Sequence, residues 1–337
     1  MKHKLLNTFS GLLIFITAIS SFASEVNVYS YREPQLIAPI FDAFSKKTGI
    51  KVNSVFAKKG MLERLRNEGR NSPADLIFTV DIGRLTDFKN AGLIQAVESN
   101  ELKANIPENF RDPDDMWFGL TSRARILVVS KDRVQGNEIS SYEDLIRKDW
   151  KGRVCARQGK HPYMVALTAS VIANKGYISA KDWLLGLKQN LARRPQGNDR
   201  AQVKAIYSGL CDVAIINHYY MVRMLKDSEQ KNWANAVRIV FPNQSDRGTH
   251  MNVSGVALAK FAPNPKAAIA LMDFLSSPEG QRLYAQRNGE YPVNPLVKAS
   301  DMVAQWGDFK QDTLDLAKIA EFREDAVKLA DEISFND

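Results

Sequence analysis

The sequence predicts an α/β protein folded as two lobes joined by strands that cross between them. Apolar residues alternate with period two and then recur at helical spacing, again and again along the chain. At 337 residues, 45% hydrophobic and 25% charged, the chain has enough apolar material for two cores. No long linker, low-complexity tract or internal repeat separates the halves, so strands shared between them must hold them together. Strand and helix in alternation give a parallel or mixed sheet with helices on its faces.

The first residues, "MKHKLLNTFSGLLIFITAISSFAS", combine Lys2 and Lys4, an apolar run from Leu12 to Ile19, and small residues at Ser21 and Ala23. This is the pattern of a secretory signal peptide over residues 1–23, and the run is too short for a bilayer of roughly 30 Å. "EVNVYSY" follows as a strand, and "PQLIAPIFDAFSKKTG" as a helix stopped by Gly49. "IKVNSVFA" is a second strand, "GMLERLRNEG" a short helix and "ADLIFTV" a buried third strand. Next come the strands "RILVVSK" and "RVCAR", a helix over about 163–174, the helix "AKDWLLGLKQNL" and the strand "CDVAIIN". "VRIVFP" and "NVSGVALAK" return as strands, "NPKAAIALMDFLSSPEGQRLYAQ" is a helix pair broken near Pro278, and 300–337 is largely helical.

"TSRARILVVS" is the expected outgoing crossing and "HMNVSGVALAK" the return. The expected lobes are then 24–124 with about 250–295, and 125–249 with about 296–337. A ligand is expected in the cleft between them.

The formal charge of +8 falls to +6 once Lys2 and Lys4 leave. Basic residues gather in "KGRVCARQGK" and "LARRPQGNDR", which for a secreted chain points to an anion or an acidic surface. Stacking aromatics are not interleaved there, so nucleic acid is not the expected partner. The two cysteines, Cys155 and Cys211, lie in a compartment where disulfides persist. One bridge is the natural pairing; free buried thiols and a metal site are the alternatives. No G-x-S-x-G, H-E-x-x-H or P-loop is present, so a secreted hydrolase or transferase has no nameable machinery.

The segments "VNVYSYREPQLIAPIFDAFSKKTGIKVN", "SPADLIFTVDIGRL", "GRVCARQGKHPY", "ARRPQGNDRAQVKAI", "CDVAIINHYY" and "NGEYPVNP" carry a specific resemblance over nearly the whole mature chain. The chain resembles the periplasmic ferric-ion-binding proteins of ABC iron transporters, in the branch that holds iron through three tyrosines and a carbonate. That resemblance implies the type II periplasmic-binding-protein fold, a periplasmic monomer without enzymatic activity, Fe³⁺ as cargo, carbonate as synergistic anion, and an inner-membrane ABC permease as partner. Another small anion or a polyamine on the same scaffold is the competing reading.

The chemistry of the implied ligands is coherent. Fe³⁺ is a hard ion that prefers anionic oxygen donors, and a phenolate is one, although its proton must be displaced from a group of pKa about 10. Neighbouring Tyr219 and Tyr220 ordinarily diverge by about 100° on a helix. Here "CDVAII" reads as a strand and "YYMVRMLKD" as a helix with Asn217 as its N-cap, and at such a turn two phenols can converge. The resemblance adds Tyr163 as the third metal ligand. Arg32, Arg123 and Arg125 are the anion-binding candidates, the last two sharing one strand face. Tyr31 and Glu33 are the possible first-lobe donors. His161 and His218 flank the tyrosines, and imidazole suits softer metals, so neither is expected to ligate.

Overall fold

The computed structural model describes residues 25–337; the expected signal peptide lies outside them. Its strands are β1 Glu25–Ser30, β2 Lys51–Phe56, β3 Leu76–Thr79, β4 Ile94–Gln95, β5 Phe118–Ser130, β6 Val154–Cys155, β7 Val213–Asn217, β8 Val237–Val240, β9 Met251–Ala259 and β10 Tyr291–Pro292. They run in the order β2-β1-β3-β9-β5-β7-β6, with β4 on β9 and both β8 and β10 on β5. The sheet is mixed: β1 lies parallel to β2 and β3, whereas β9 is antiparallel to β3 and β5.

One strand makes the two halves a unit. β5 pairs with β9 through Ala124, then exchanges partners and pairs with β7 from Arg125 onward and with β8 from Leu127. At the exchange the Arg125 amide donates to the His250 carbonyl at 2.9 Å, just before β9 begins. Both expected crossing strands therefore meet at one point, and β5 is buried along all 13 residues.

Strand periodicity explains the packing on either side of that point. In the first half Val28, Leu76, Phe78 and Val256 enter one apolar cluster while Tyr29, Ile77 and Ala257 enter another. In the second half Leu127, Val129, Val213 and Ile215 face one cluster, and Ile126, Val128, Ala214 and Ile216 face its opposite. A sheet covered on both faces needs near-continuous apolar strands, which "ADLIFTV" and "CDVAIIN" supply. Each fully buried aliphatic side chain stabilises the fold by about 1.5–3 kcal/mol relative to exposure.

The helices Pro34–Thr48, Pro162–Lys175, Tyr177–Gln189, Pro265–Ser276 and Pro278–Leu283 fall where the periodicity places them. Ile319, Ala326 and Leu329 carry the C-terminal helices into the core of the second half, and Phe335, past the last helix, joins them there. From the same segment Arg323 reaches back to Asp81 and Asp87 of the first half, at 3.6 and 3.2 Å.

Candidate functional site

A cleft of about 410 Å³ opens beside the crossing strands, and Tyr163, Tyr219 and Tyr220 all line it. Each reaches it for a local reason. β6 ends at Cys155, and the chain then turns through Gly159, where a side chain would strike Phe335 at 2.8 Å. Next it enters the helix Pro162–Lys175 with proline in the first turn, where the missing N–H is not needed. His161 is the N-cap, its Nδ1 accepting from the Tyr163 amide at 3.2 Å. Tyr163 thus sits on the first turn, 6% exposed, with its ring 4.8 Å from that of His161.

β7 delivers the other two phenols. It ends at Asn217, turns at His218 and becomes the helix Tyr219–Leu225. The rings of Tyr219 and Tyr220 lie 4.2 Å apart at 35°, so the strand-to-helix turn does bring adjacent side chains to one side. Asn217 is not the helix cap expected from the sequence: the cap position is His218, without a side-chain bond, and Asn217 Oδ1 accepts from Arg125 instead. A disulfide joins Cys155 to Cys211 with Cα atoms 6.0 Å apart, tying the β6 and β7 segments that present the tyrosines.

The phenols perturb one another. Burial first, then Tyr163 and Tyr220, push Tyr219 well above the ordinary phenol value. Burial, then Tyr163 and Asp199, push Tyr220 up likewise. In the metal-free protein both are therefore neutral near pH 7. Around them the cleft is basic: seven arginine and lysine side chains line it against two carboxylates, Glu33 and Glu290. Such a cleft favours an anion and disfavours a polyamine.

The three arginines chosen from the sequence occupy different situations. Arg32 is 1% exposed, lines the cleft, and pairs with Glu290 at 2.5 Å. Arg123 also lines it, with Nη2 donating to the Val80 carbonyl at 2.5 Å and Cζ 5.5 Å from the Tyr163 ring centre. Arg125 does share that face, with Cζ 5.8 Å from the same ring. It lies deeper, however, fully buried and outside the cleft lining, committed to Asp199, Asn217 and the sulfur of Met164. Arg125 as an anion ligand is thus corrected by depth: strand periodicity fixes a face but not the distance to solvent. The open place at the cleft belongs to Arg157, whose Nη1 meets Asp199 at 3.0 Å and whose Cζ is 5.5 Å from the Tyr163 ring centre.

Sequence reasoning also missed Asp199 and Glu290. Asp199 is completely buried and accepts from Arg125, Arg157 and the Asn217 amide. Burial raises its carboxyl, but the two arginines hold it below the usual carboxylate range. Its signal was the basic segment "ARRPQGNDR", and that of Glu290 was "NGEYPVNP". Neither text shows which cation a carboxylate will meet.

Both flanking histidines accept backbone amides, although His161 also lines the cleft. His218 is buried, its Nδ1 accepting from the Ala124 amide at 3.0 Å and its Nε2 donating to the Gly289 carbonyl at 2.9 Å. Burial pushes it down to about 3, and burial with Arg157 does the same for His161. On the first-lobe side Tyr31 lines the cleft under Arg84, whose Cζ is 4.2 Å from its ring centre, while Glu33 is exposed and bonded to Gln35. Among the described residues, no three His, Cys, Asp or Glu side chains are gathered closely enough to hold a metal ion.

Two α/β halves sharing a crossing strand, with a polar cleft beside it, define a solute-binding protein. Residues 71–310 match the bacterial extracellular solute-binding protein family. Iron uptake protein A1 of Synechocystis sp. is 43% identical over 311 residues, 91% of this chain and 86% of that one. The apo ferric ion-binding protein A of Pasteurella haemolytica superposes with a TM-score of 0.90 at 50% identity, covering 94% of this chain and 99% of that one. A Trichodesmium protein solved with iron and citrate ligands gives a TM-score of 0.87 at 40% identity, covering 93% and 100%. The chain belongs to the bacterial extracellular solute-binding proteins, among relatives that are iron uptake and ferric ion-binding proteins.

Proposed function

We propose that the chain captures Fe³⁺ in the periplasm and hands it to an inner-membrane ABC permease as a monomeric binding protein without catalytic activity. The single observation that carries this reading is the set of three tyrosines on one basic cleft. Tyr163, Tyr219 and Tyr220 would bind as phenolates, balancing the charge of the ion, and carbonate would occupy a remaining position opposite Arg32 and Arg123. The lobes are taken as 24–124 with about 250–295, and 125–249 with about 296–337, with the ion gripped between them. Tyr31 and Glu33, which both line the cleft, are the first-lobe groups that would approach it.

Ferric ion added to the metal-free protein in bicarbonate is expected to give a strong visible band from phenolate-to-iron charge transfer. Protein that stays colourless with every anion tried would overturn the reading. A second reading, a ferric complex of a polycarboxylate as cargo, is favoured by the 410 Å³ of the cleft and its seven cations. It predicts the same band with citrate in place of bicarbonate.

A further inference from the structure

The segment "ARRPQGNDR" ends in a turn that places one carboxylate. Gly197 has φ +72, and a Cβ there would strike Ala201 at 2.7 Å. Asn198 caps the helix Asp199–Tyr207, its Oδ1 accepting from the Ala201 amide at 3.0 Å. Gln202 Nε2 closes the turn by donating to the carbonyls of Gln196 and Asn198 at 2.6 and 3.1 Å. Asp199 therefore enters the interior from a turn with little freedom, and it is completely buried.

Its two oxygens meet three donors from three stretches of chain. Oδ1 accepts from Arg157 Nη1 at 3.0 Å, and Oδ2 accepts from Arg125 Nη1 at 3.1 Å and from the Asn217 amide at 2.8 Å. Asn217 is the last residue of β7, just before the turn into Tyr219 and Tyr220. Arg125 also reaches the sulfur of Met164, the residue after Tyr163, at 3.5 Å. Arg157 lies on the chain that leads into the Tyr163 helix, and the Cζ atoms of Arg157 and Arg125 are 5.5 and 5.8 Å from the Tyr163 ring centre. One carboxylate thus joins the strand end that precedes the paired phenols to the two guanidiniums that flank the third. The disulfide ties the same two segments further back, at Cys155 and Cys211.

We propose that Asp199 is the positioning residue of the site, setting the place of Tyr163 relative to Tyr219 and Tyr220 so that three hydroxyls converge on one ion. It does not line the cleft, so it acts through the groups it holds. An ionised carboxylate accepts on both oxygens at once and binds guanidinium strongly, whereas a neutral amide offers one accepting oxygen and turns two donors toward the arginines. Removing a group that orients metal ligands typically costs 10- to 100-fold in metal affinity. This inference rests on the three phenols being the ligands and assigns what sets their geometry.

Asp199→Asn keeps an acceptor for the Asn217 amide but no longer anchors both guanidiniums. Measured by chelator competition in bicarbonate, at a temperature where the variant is fully folded, ferric affinity is expected to fall by about 10- to 100-fold and the visible band to shift. In a crystal structure of the metal-free variant, the Tyr163 hydroxyl is expected to be displaced by on the order of 1 Å relative to those of Tyr219 and Tyr220. A residue that only stabilises the fold would lower the denaturation midpoint and move neither readout. Should Asp199→Asn fail to fold because the buried Arg125 is stranded, Asp199→Asn with Arg125→Met removes that charge. Arg125 lies outside the cleft lining, so the same two readouts are expected of the double variant. Unchanged affinity and band in a folded variant overturn the proposal. So does an affinity loss with the three hydroxyls in their wild-type arrangement, which would assign the effect to charge alone. A wild type that gives no band with any anion refutes the iron reading, and the hydroxyl arrangement in the crystals then decides on Asp199.

Discussion

Replacing Tyr219 with Phe separates a ligand from a packing residue. The side chain is 4% exposed and its ring lies 4.2 Å from that of Tyr220, so Phe keeps almost all of the burial and the ring contact. Removing one hydroxyl is expected to change the stability of the metal-free protein by about 1 kcal/mol, the net worth of one hydrogen bond. Iron binding is affected in a different way. A phenol of ordinary pKa must give up its proton to bind at pH 7, at about 4 kcal/mol each, and Tyr219 and Tyr220 lie above that ordinary value. If three phenols ionise on binding, the apparent affinity rises by up to about a thousandfold per pH unit; with two it rises by about a hundredfold. Competition against a chelator at several pH values, followed by the visible band, measures this slope, and protons taken up by chelator and anion cancel between wild type and variant. The slope is expected to fall by about one proton in Tyr219→Phe, with weaker binding throughout. A variant with unchanged slope, affinity and colour would refute the placement of iron at these phenols.

The disulfide closes a loop between residues 56 apart, which in the chain-entropy model contributes about 4 kcal/mol. Titration of unfolded, unreduced protein is expected to find no free thiol, and Cys155→Ser with Cys211→Ser to lower the denaturation midpoint accordingly. Arg32→Ala strands the buried carboxylate of Glu290, so a loss of about 3–5 kcal/mol is expected alongside weakened iron retention in bicarbonate. Replacing both partners by apolar residues is expected to restore much of the stability but none of the retention; recovered retention would sink the anion role of Arg32. His161, His218 and His250 are each pushed down to about 3 by burial. Between about pH 6.5 and 3 the unfolded chain binds protons that the native one does not, so stability falls on acidification by up to about 1.4 kcal/mol per histidine per pH unit. Denaturant melts of the metal-free protein at pH 7 and pH 5 check the sign, and equal midpoints would show that these imidazoles are not held neutral.

The residue pattern alone determined the alternation of strands and helices, because period-two and period-3.6 burial are properties of the local chain. It also determined the cysteine pairing and the convergence of Tyr219 and Tyr220, since a strand-to-helix turn is a local event and two cysteines admit one bridge. Depth and long-range partnership were decided only in three dimensions. Arg123 and Arg125 share a strand face as their spacing requires, yet only Arg123 reaches the cleft, because Asp199, 74 residues further on, draws Arg125 inward. Glu290 meets Arg32 across 258 residues of sequence, and His218 becomes a buried tether because Ala124 and Gly289 happen to flank it. Asn217 shows the same limit at short range: it has the chemistry of a helix cap, but the buried guanidinium of Arg125 claims its oxygen. A charged group is soluble almost anywhere on an unfolded chain. Once buried it is placed by whichever opposite charge the fold brings within reach, and no local periodicity encodes that.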